Sequence, residues 1–328
     1  MNENEEETIQ INIQDESDEE TENETKQNEE NKIKKKNLGK FYTENYQYIF
    51  QNFQLPDYQQ TQFIEPFVGM GHLCSFLSNY YHIPVSELHI ETYDLENHYH
   101  SVTIQDTIRN PPDYENKFVI TNPPFLARNK CEDKEIFNMY GYNDLYKCFL
   151  KTVIEKNCEG GLFILPINFL SSIRKSDILL RKLFLEKYKI LGMNLFEEKV
   201  FHDTSFMVCS FLFQRRIEND DDYTIRTMIY PYKIYKEFEI SENTHWMIGG
   251  ELYHLPQNHD ISISRVYRKK DGNHVPPNTR LFLHALDDGK NKRIHLEFMN
   301  IDKDLFIGSH SDRSYCSIHI SPAISIER

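Results

Sequence analysis

Between residues 62 and 213, short apolar runs alternate with segments whose apolar residues recur at helical spacing. Phe63-Ile64, Leu88 to Tyr93, Phe118-Val119-Ile120, Leu162 to Leu165 and Phe206 to Phe213 are rich in β-branched and aromatic residues and have the length of buried strands. Tyr46, Ile49, Phe50 and Phe53, then His72 to Tyr81, then Leu145, Phe149 and Val153 behind Asp144, read as helices packing one apolar face. Gly160-Gly161 reads as the stop of the third helix, and Ser176-Asp177 as the start of a fourth that runs to Tyr188. Strand and helix in alternation predict an α/β fold with a doubly wound, mostly parallel sheet. Met193 to Phe201, a His202-Asp203-Thr204 turn and the strand from Phe206 predict an antiparallel hairpin at its edge. Past the charged stretch from Arg215 to Asp222 the period becomes two. Leu281, Leu283 and Ala285 alternate on one side of Asp288-Gly289 and Ile294, Leu296 and Phe298 on the other, with a second turn at Asp271-Gly272. The expected division is therefore a tail and Lys-rich linker over 1–36, an α/β domain over 37–216 and a smaller β-rich domain over 217–328. A strand-like stretch just before Glu327-Arg328 reads as an end lacking a terminal helix.

Charge changes this picture less than its total suggests. The formal net charge is −14, yet residues 1–30 hold thirteen Asp or Glu and one Lys, which leaves about −2 for the rest. The tail lacks the hydrophobes to bury a core and reads as disordered by composition. The remainder is nearly neutral, so local patches rather than global charge must identify any polyanionic partner. Lys32-Ile33-Lys34-Lys35-Lys36 reads as a solvated linker before it reads as a nuclear address. The six cysteines form no C-x-x-C pair and the fourteen histidines no H-E-x-x-H, so no metal site is expected. No apolar stretch reaches the roughly 18 residues a membrane span needs, and the N-terminus is the opposite of a signal peptide. These features predict a soluble intracellular protein, cytoplasmic or nuclear. Only three alanines occur amid abundant Asn, Lys, Ile and Tyr, a bias of AT-rich genomes such as those of large DNA viruses.

The candidate chemistry gathers around Thr121-Asn122-Pro123-Pro124-Phe125. Pro123 has no N–H and holds its predecessor extended, so the strand must stop there and present Asn122 at its end. Open α/β sheets bind ligands at that edge. A carboxamide, exposed carbonyls and a ring face suit a flat substrate with an amino group. Upstream, Glu65-Pro66-Phe67-Val68-Gly69-Met70-Gly71 joins a strand to a helix, with glycines where a backbone must pass close to a ligand. Cys74 stands where a dinucleotide fingerprint would need a third glycine, which argues against a nicotinamide enzyme. Asp94 lies where a doubly wound fold needs an acid for ribose hydroxyls, with Glu96 as rival. Arg128-Asn129-Lys130 makes a basic loop after Phe125, and Arg265, Arg268, Lys269 and Lys270 a basic spot in the β-rich domain.

Taken in order, these stretches resemble the gamma-group type II N6-adenine DNA methyltransferases, including those of large DNA viruses. L-G-K-F-Y-T, with Thr43, is similar to the segment before motif I; E-P-F-x-G-x-G matches motif I, Asp94 motif II, Asp106 motif III, N-P-P-F motif IV and V-F-x-x-x-S motif VIII. The resemblance implies a seven-stranded sheet and S-adenosylmethionine as cofactor, leaving as S-adenosylhomocysteine, with no metal. It implies that Thr43, Glu65, Phe67, Gly69, Gly71, Asp94 and Asp106 bind that cofactor. Asn122, Pro123, Pro124 and Phe125 would carry the transfer, with Phe125 and Phe201 stacking on a base turned out of double-stranded DNA. Phe125 departs from the commoner Tyr, which keeps the ring and loses the phenol. The implied partners are DNA and a cognate restriction endonuclease, with target recognition by the C-terminal domain. RNA methyltransferases and the glutamine methyltransferases of release factors share N-P-P-[YF], and a catalytically silent binding subunit is a further alternative.

Overall fold

The computed structural model describes residues 45–201, 207–217, 223–251, 256, 260–266, 278–284, 295–298 and 315–323. The chain divides into two compact units, residues 1–253 and 254–328.

The first unit is built on one nine-stranded sheet. Its strands are β1 (Gln62–Glu65), β2 (Ile90–Asp94), β3 (Thr103–Ile104), β4 (Lys117–Thr121), β5 (Gly160–Pro166), β6 (Tyr188–Phe196), β7 (Val208–Arg215), β8 (Thr224–Tyr230) and β9 (Ile234–Glu239). They lie in the order β3-β2-β1-β4-β5-β7-β6-β8-β9. β1 pairs in parallel with both β2 and β4, and β4 with β5. β7 runs antiparallel between β5 and β6, so the expected hairpin forms inside the sheet instead of at its edge. The helices are α1 (Tyr46–Ile49), α2 (His72–Tyr81), α3 (Glu135–Tyr140), α4 (Leu145–Lys156), α5 (Asn168–Ser171) and α6 (Lys175–Lys187).

Three expectations need correction. The sheet does not end with seven strands, and the expected boundary at 216/217 cuts through it: β8 pairs in parallel with β6, and β9 with β8. The two-residue period there is real, but its buried face belongs to the first sheet. Gly160-Gly161 does not end a helix either. α4 closes at Asn157 in the left-handed conformation, and both glycines lie inside β5. A Cβ on Gly160 would meet the Phe213 carbonyl oxygen at 2.6 Å, and one on Gly161 the Val119 carbonyl oxygen at 2.4 Å. Here glycine allows close strand approach instead of a turn.

β4 and β5 are buried almost throughout, as their unbroken apolar runs require. Phe184 of α6 packs on Phe211 and Phe213 of β7, and Phe163 of β5 joins the same group. Cys74, Cys148, Cys158 and Cys209 are free and buried.

The second unit contains a four-stranded antiparallel sheet, in the order β10-β13-β11-β12. These are β10 (Ser262–Arg265), β11 (Leu281–His284), β12 (His295–Phe298) and β13 (Tyr315–Ser321). The two expected strands on either side of Asp288-Gly289 pair antiparallel, with Leu283 opposite Leu296. Both predicted turns, Asp271-Gly272 and Asp288-Gly289, lie outside the described residues.

Candidate active site

The strand order reverses between β1 and β4, the point at which a doubly wound sheet opens a crevice at its C-terminal edge. A cavity of about 330 Å³ opens there. It is lined by Phe67 and Gly69 after β1, Asp94 at the end of β2, Asp106 after β3, and Asn122 and Pro124 after β4. Residues from four of the stretches singled out in the sequence thus meet on one cavity. Gln105, Ile108, Arg109, Leu126 and Ile136 complete much of the wall.

Each acid has a defined setting. Asp94 is buried, and its Oδ2 accepts from the Gly69 N–H at 2.9 Å while Oδ1 accepts from the Glu96 N–H at 3.2 Å. Gly69 can offer that N–H because it sits at φ 51°. Asp106 Oδ1 accepts from the backbone of Ile108 and Arg109 at 3.1 and 3.0 Å. Arg109 in turn pairs with Asp106, Asp133 and Glu135, so its charge is fully balanced.

Glu65 and Gly71 are placed differently from what the motif implied. Glu65 is completely buried and does not line the cavity. Its Oε1 accepts from the Thr121 hydroxyl at 2.7 Å and the Phe67 N–H at 3.0 Å, joining the ends of β1 and β4 across the switch point. Burial pushes its carboxyl up to about 8 against those two hydrogen bonds, and Asp94 adds to the rise. Gly71 sits at φ 78° as the N-cap of α2, and a Cβ there would lie 2.2 Å from the Tyr99 ring. The glycine therefore admits a tyrosine side chain.

The residues after β4 are held by pairing with the start of α4. Ala127 and Asp144 form an antiparallel bridge, the Leu145 N–H donates to Leu126 O at 3.1 Å, and the Arg128 N–H donates to Asn143 O at 2.9 Å. This carries Tyr146 against Phe125 edge to face, with centroids 6.1 Å apart. Phe201 packs edge to face on Phe125 as well, 6.4 Å away. The Phe125 ring is only 3 % exposed and does not line the cavity. It is a packed member of an aromatic trio, so it offers no open face for stacking in this conformation. Asp144 is also enclosed, and burial pushes its carboxyl up to about 6 despite nearby Lys147.

Several contributors escaped the sequence reading. The Thr121 hydroxyl ties β4 to Glu65, Tyr46 of α1 reaches the cavity wall, and the Thr107 hydroxyl holds Pro66 O at 3.0 Å. Thr121 and Thr107 carry no periodic or spacing signal, and the helical spacing of Tyr46 marks a buried face and not a cavity wall. Thr43, Arg268, Lys269 and Lys270 lie outside the described residues, and of Arg265 the backbone alone is described, paired with Ile318 on β13.

No family model matches the chain, and no curated protein does. Solved structures do. The M protein of the type I restriction enzyme EcoKI (EC 2.1.1.72) is 13 % identical, covering 53 % of this chain and 45 % of that one at a TM-score of 0.39. The methyltransferase subunit of a type I restriction–modification system from Streptococcus thermophilus is 16 % identical over 67 % of this chain and 54 % of that one, at 0.41. DrdV in complex with DNA is 16 % identical over 65 % and 31 %, at 0.46. The chain thus spans about half or less of the length of these structures.

Proposed function

We propose that this chain is an S-adenosylmethionine-dependent methyltransferase acting on the N6 amino group of adenine in DNA. The observation that carries the reading is the shared cavity: Asn122 and Pro124 of N-P-P-F line the same space as Gly69, Asp94 and Asp106. Its volume lies within the range of small-molecule sites, and its wall combines three carboxylates with apolar side chains. A cationic cofactor carrying a flat base fits that donor set. Among the described lining residues the cationic side chain is Arg109, which three carboxylates neutralise.

In this reading Asp94 and the Gly69 turn hold the ribose side of S-adenosylmethionine, and Asp106 accepts from its adenine amino group. When bound, the cofactor supplies an electrophilic methyl on a sulfonium. The chain's own part is to make a poor nucleophile attack. The amino nitrogen of adenine delocalises its lone pair into the ring. Asn122 Oδ1 and the Pro123 carbonyl, accepting its two N–H bonds, would localise that pair on nitrogen. Preorganised polar groups of this kind contribute about 3 kcal/mol each. The target base must leave the duplex to reach them, at a cost of a few kcal/mol. Phe125 would support the base from beneath only after the trio with Tyr146 and Phe201 opens a face.

One observation favours a second reading, a binding subunit that does not turn over: the enclosed Phe125 ring. Transfer of tritiated methyl from S-adenosylmethionine to unmethylated duplex DNA decides between them, followed by nucleoside analysis for N6-methyladenine. Label in N6-methyladenine supports the enzyme. Cofactor binding by calorimetry without any label in DNA, RNA or protein would leave the binding subunit.

A further inference from the structure

Cations in the first unit are mostly spoken for. Arg109, Lys117, Lys151, Lys182, Arg215 and Arg226 each face a carboxylate. Arg128, Lys130, Arg174 and Lys175 do not: among the described residues none of the four enters an ion pair or a side-chain hydrogen bond. Lys156 and Lys233 are likewise without such partners among the described residues, but these four are grouped. Arg128 and Lys130 follow β4, Arg174 and Lys175 follow β5, and these two strands are neighbours, about 4.8 Å apart. Both pairs therefore lie at the C-terminal edge, beside N-P-P-F. Lys134 and Lys199 share that edge but have Asp133, Glu135, Glu197 and Glu198 as chain neighbours.

The two loops are tied together from below. The Arg128 N–H donates to Asn143 O at 2.9 Å, and Asn143 Oδ1 accepts from Lys147 Nζ at 2.9 Å. Lys147 reaches both Asp177 oxygens at 2.8 Å, and Asp177 Oδ2 accepts from the Ser172 hydroxyl at 2.7 Å. Buried Arg181 fixes the second loop again, donating to the carbonyls of Phe169 and Ser172 at 2.8 and 3.1 Å. Lys130, Arg174 and Lys175 are thus exposed, and Arg128 half-buried, on a hydrogen-bonded base. Arg174 and Lys175 also sit at the N-terminus of α6, where positive charge opposes the helix dipole. Their position is therefore not explained by the stability of the helix.

We infer that Arg128, Lys130, Arg174 and Lys175 form the phosphate-contacting rim of the catalytic unit, along which a DNA duplex lies while one base enters the cavity. This rests on the function proposed above and adds to it a binding surface outside the β-rich domain, where the sequence pointed to Arg265 and Arg268 to Lys270. Each neutralised phosphate contributes close to one unit to the slope of log affinity against log salt concentration.

The test uses the full chain and a fluorescent duplex of about 20 base pairs, a few multiples of the width of one contact site. Arg128→Ala/Lys130→Ala and Arg174→Ala/Lys175→Ala are each compared with Lys156→Ala, an unpaired lysine at the far end of α4. Each rim double variant is expected to flatten the salt slope by roughly 2, with Lys156→Ala unchanged. Thermal midpoint and cofactor affinity should stay at wild-type values in all three, and Arg174→Lys should retain the slope. A wild-type slope in both rim variants would overturn the rim and leave the methyltransferase reading intact. Wild-type protein that binds no DNA at any salt would overturn both. Tighter, rim-dependent binding of an RNA stem-loop of equal length would overturn the assignment to a DNA duplex.

Discussion

Where β1, β2 and β3 end, the carboxylates are engaged by the backbone: Asp94 by the Gly69 N–H, Asp106 by the N–H groups of Ile108 and Arg109. Where β4 and β5 end, Tyr146 and Phe201 pack on Phe125, and four cations stand without counter-charges among the described residues. The first region is complete before anything binds, which in the function proposed above is what a cofactor pocket gains from preorganisation. The second has its chemistry in place but not its surroundings, as expected where a large, charged substrate supplies the missing partners. Glu65 and Thr121 bind the two regions together across the switch point.

The largest effect should come from breaking the second region. Phe125→Ala removes a ring packed between Tyr146 and Phe201, and core truncations of this kind cost about 3–5 kcal/mol. Thermal unfolding should show a clear drop in midpoint; an unchanged midpoint would mean that the ring is not part of the core. Next, Asp94→Ala leaves the Gly69 N–H without a charged acceptor, an interaction of about 1.5–3 kcal/mol. Cofactor affinity should fall at least about ten-fold, while the rate at saturating cofactor stays within a few-fold of wild type. An equal loss in saturated rate would erase the distinction between the regions.

How much of this was legible follows from what each residue reports. The β1–glycine–α2 unit, the acid at the end of β2 and the strand stop before Pro123 are local events, written in periodicity, φ preference and the missing proline N–H. The parallel pairing of β8 with β6 joins segments some thirty residues apart and leaves no mark beyond a two-residue period, which any β-rich domain shares. Tyr99 over Gly71 and Phe201 beside Phe125 are contacts across the fold. Neither contact was legible, although the family resemblance marked Phe125 and Phe201 one by one. Arg181 read as one more cation on an amphipathic helix; nothing in its neighbours announces that it is buried against three carbonyls.

A smaller effect sharpens the link between the regions. The folded Glu65 carboxyl titrates near 8, well above its ordinary value, because burial favours the neutral form. Between the unfolded value and 8 the unfolded chain has lost this proton and the folded chain retains it. Glu65 therefore contributes stability at low pH that is lost progressively as pH rises towards 8. Glu65→Gln keeps an acceptor for Thr121 and Phe67 but cannot titrate. Its thermal midpoint relative to wild type should be higher at pH 8 than at pH 5, and a pH-independent difference would count against the raised value.

The most direct test of the shared cavity is Asn122→Ala, measured twice on the same preparation. Methyl transfer to duplex DNA at saturating cofactor should fall at least about a hundred-fold, as for removal of one preorganised polar group from a reacting centre. The dissociation constant of S-adenosylmethionine by calorimetry should stay within a few-fold of wild type. Near-wild-type transfer by Asn122→Ala would contradict the account, because N-P-P-F would then be only the turn that ends β4.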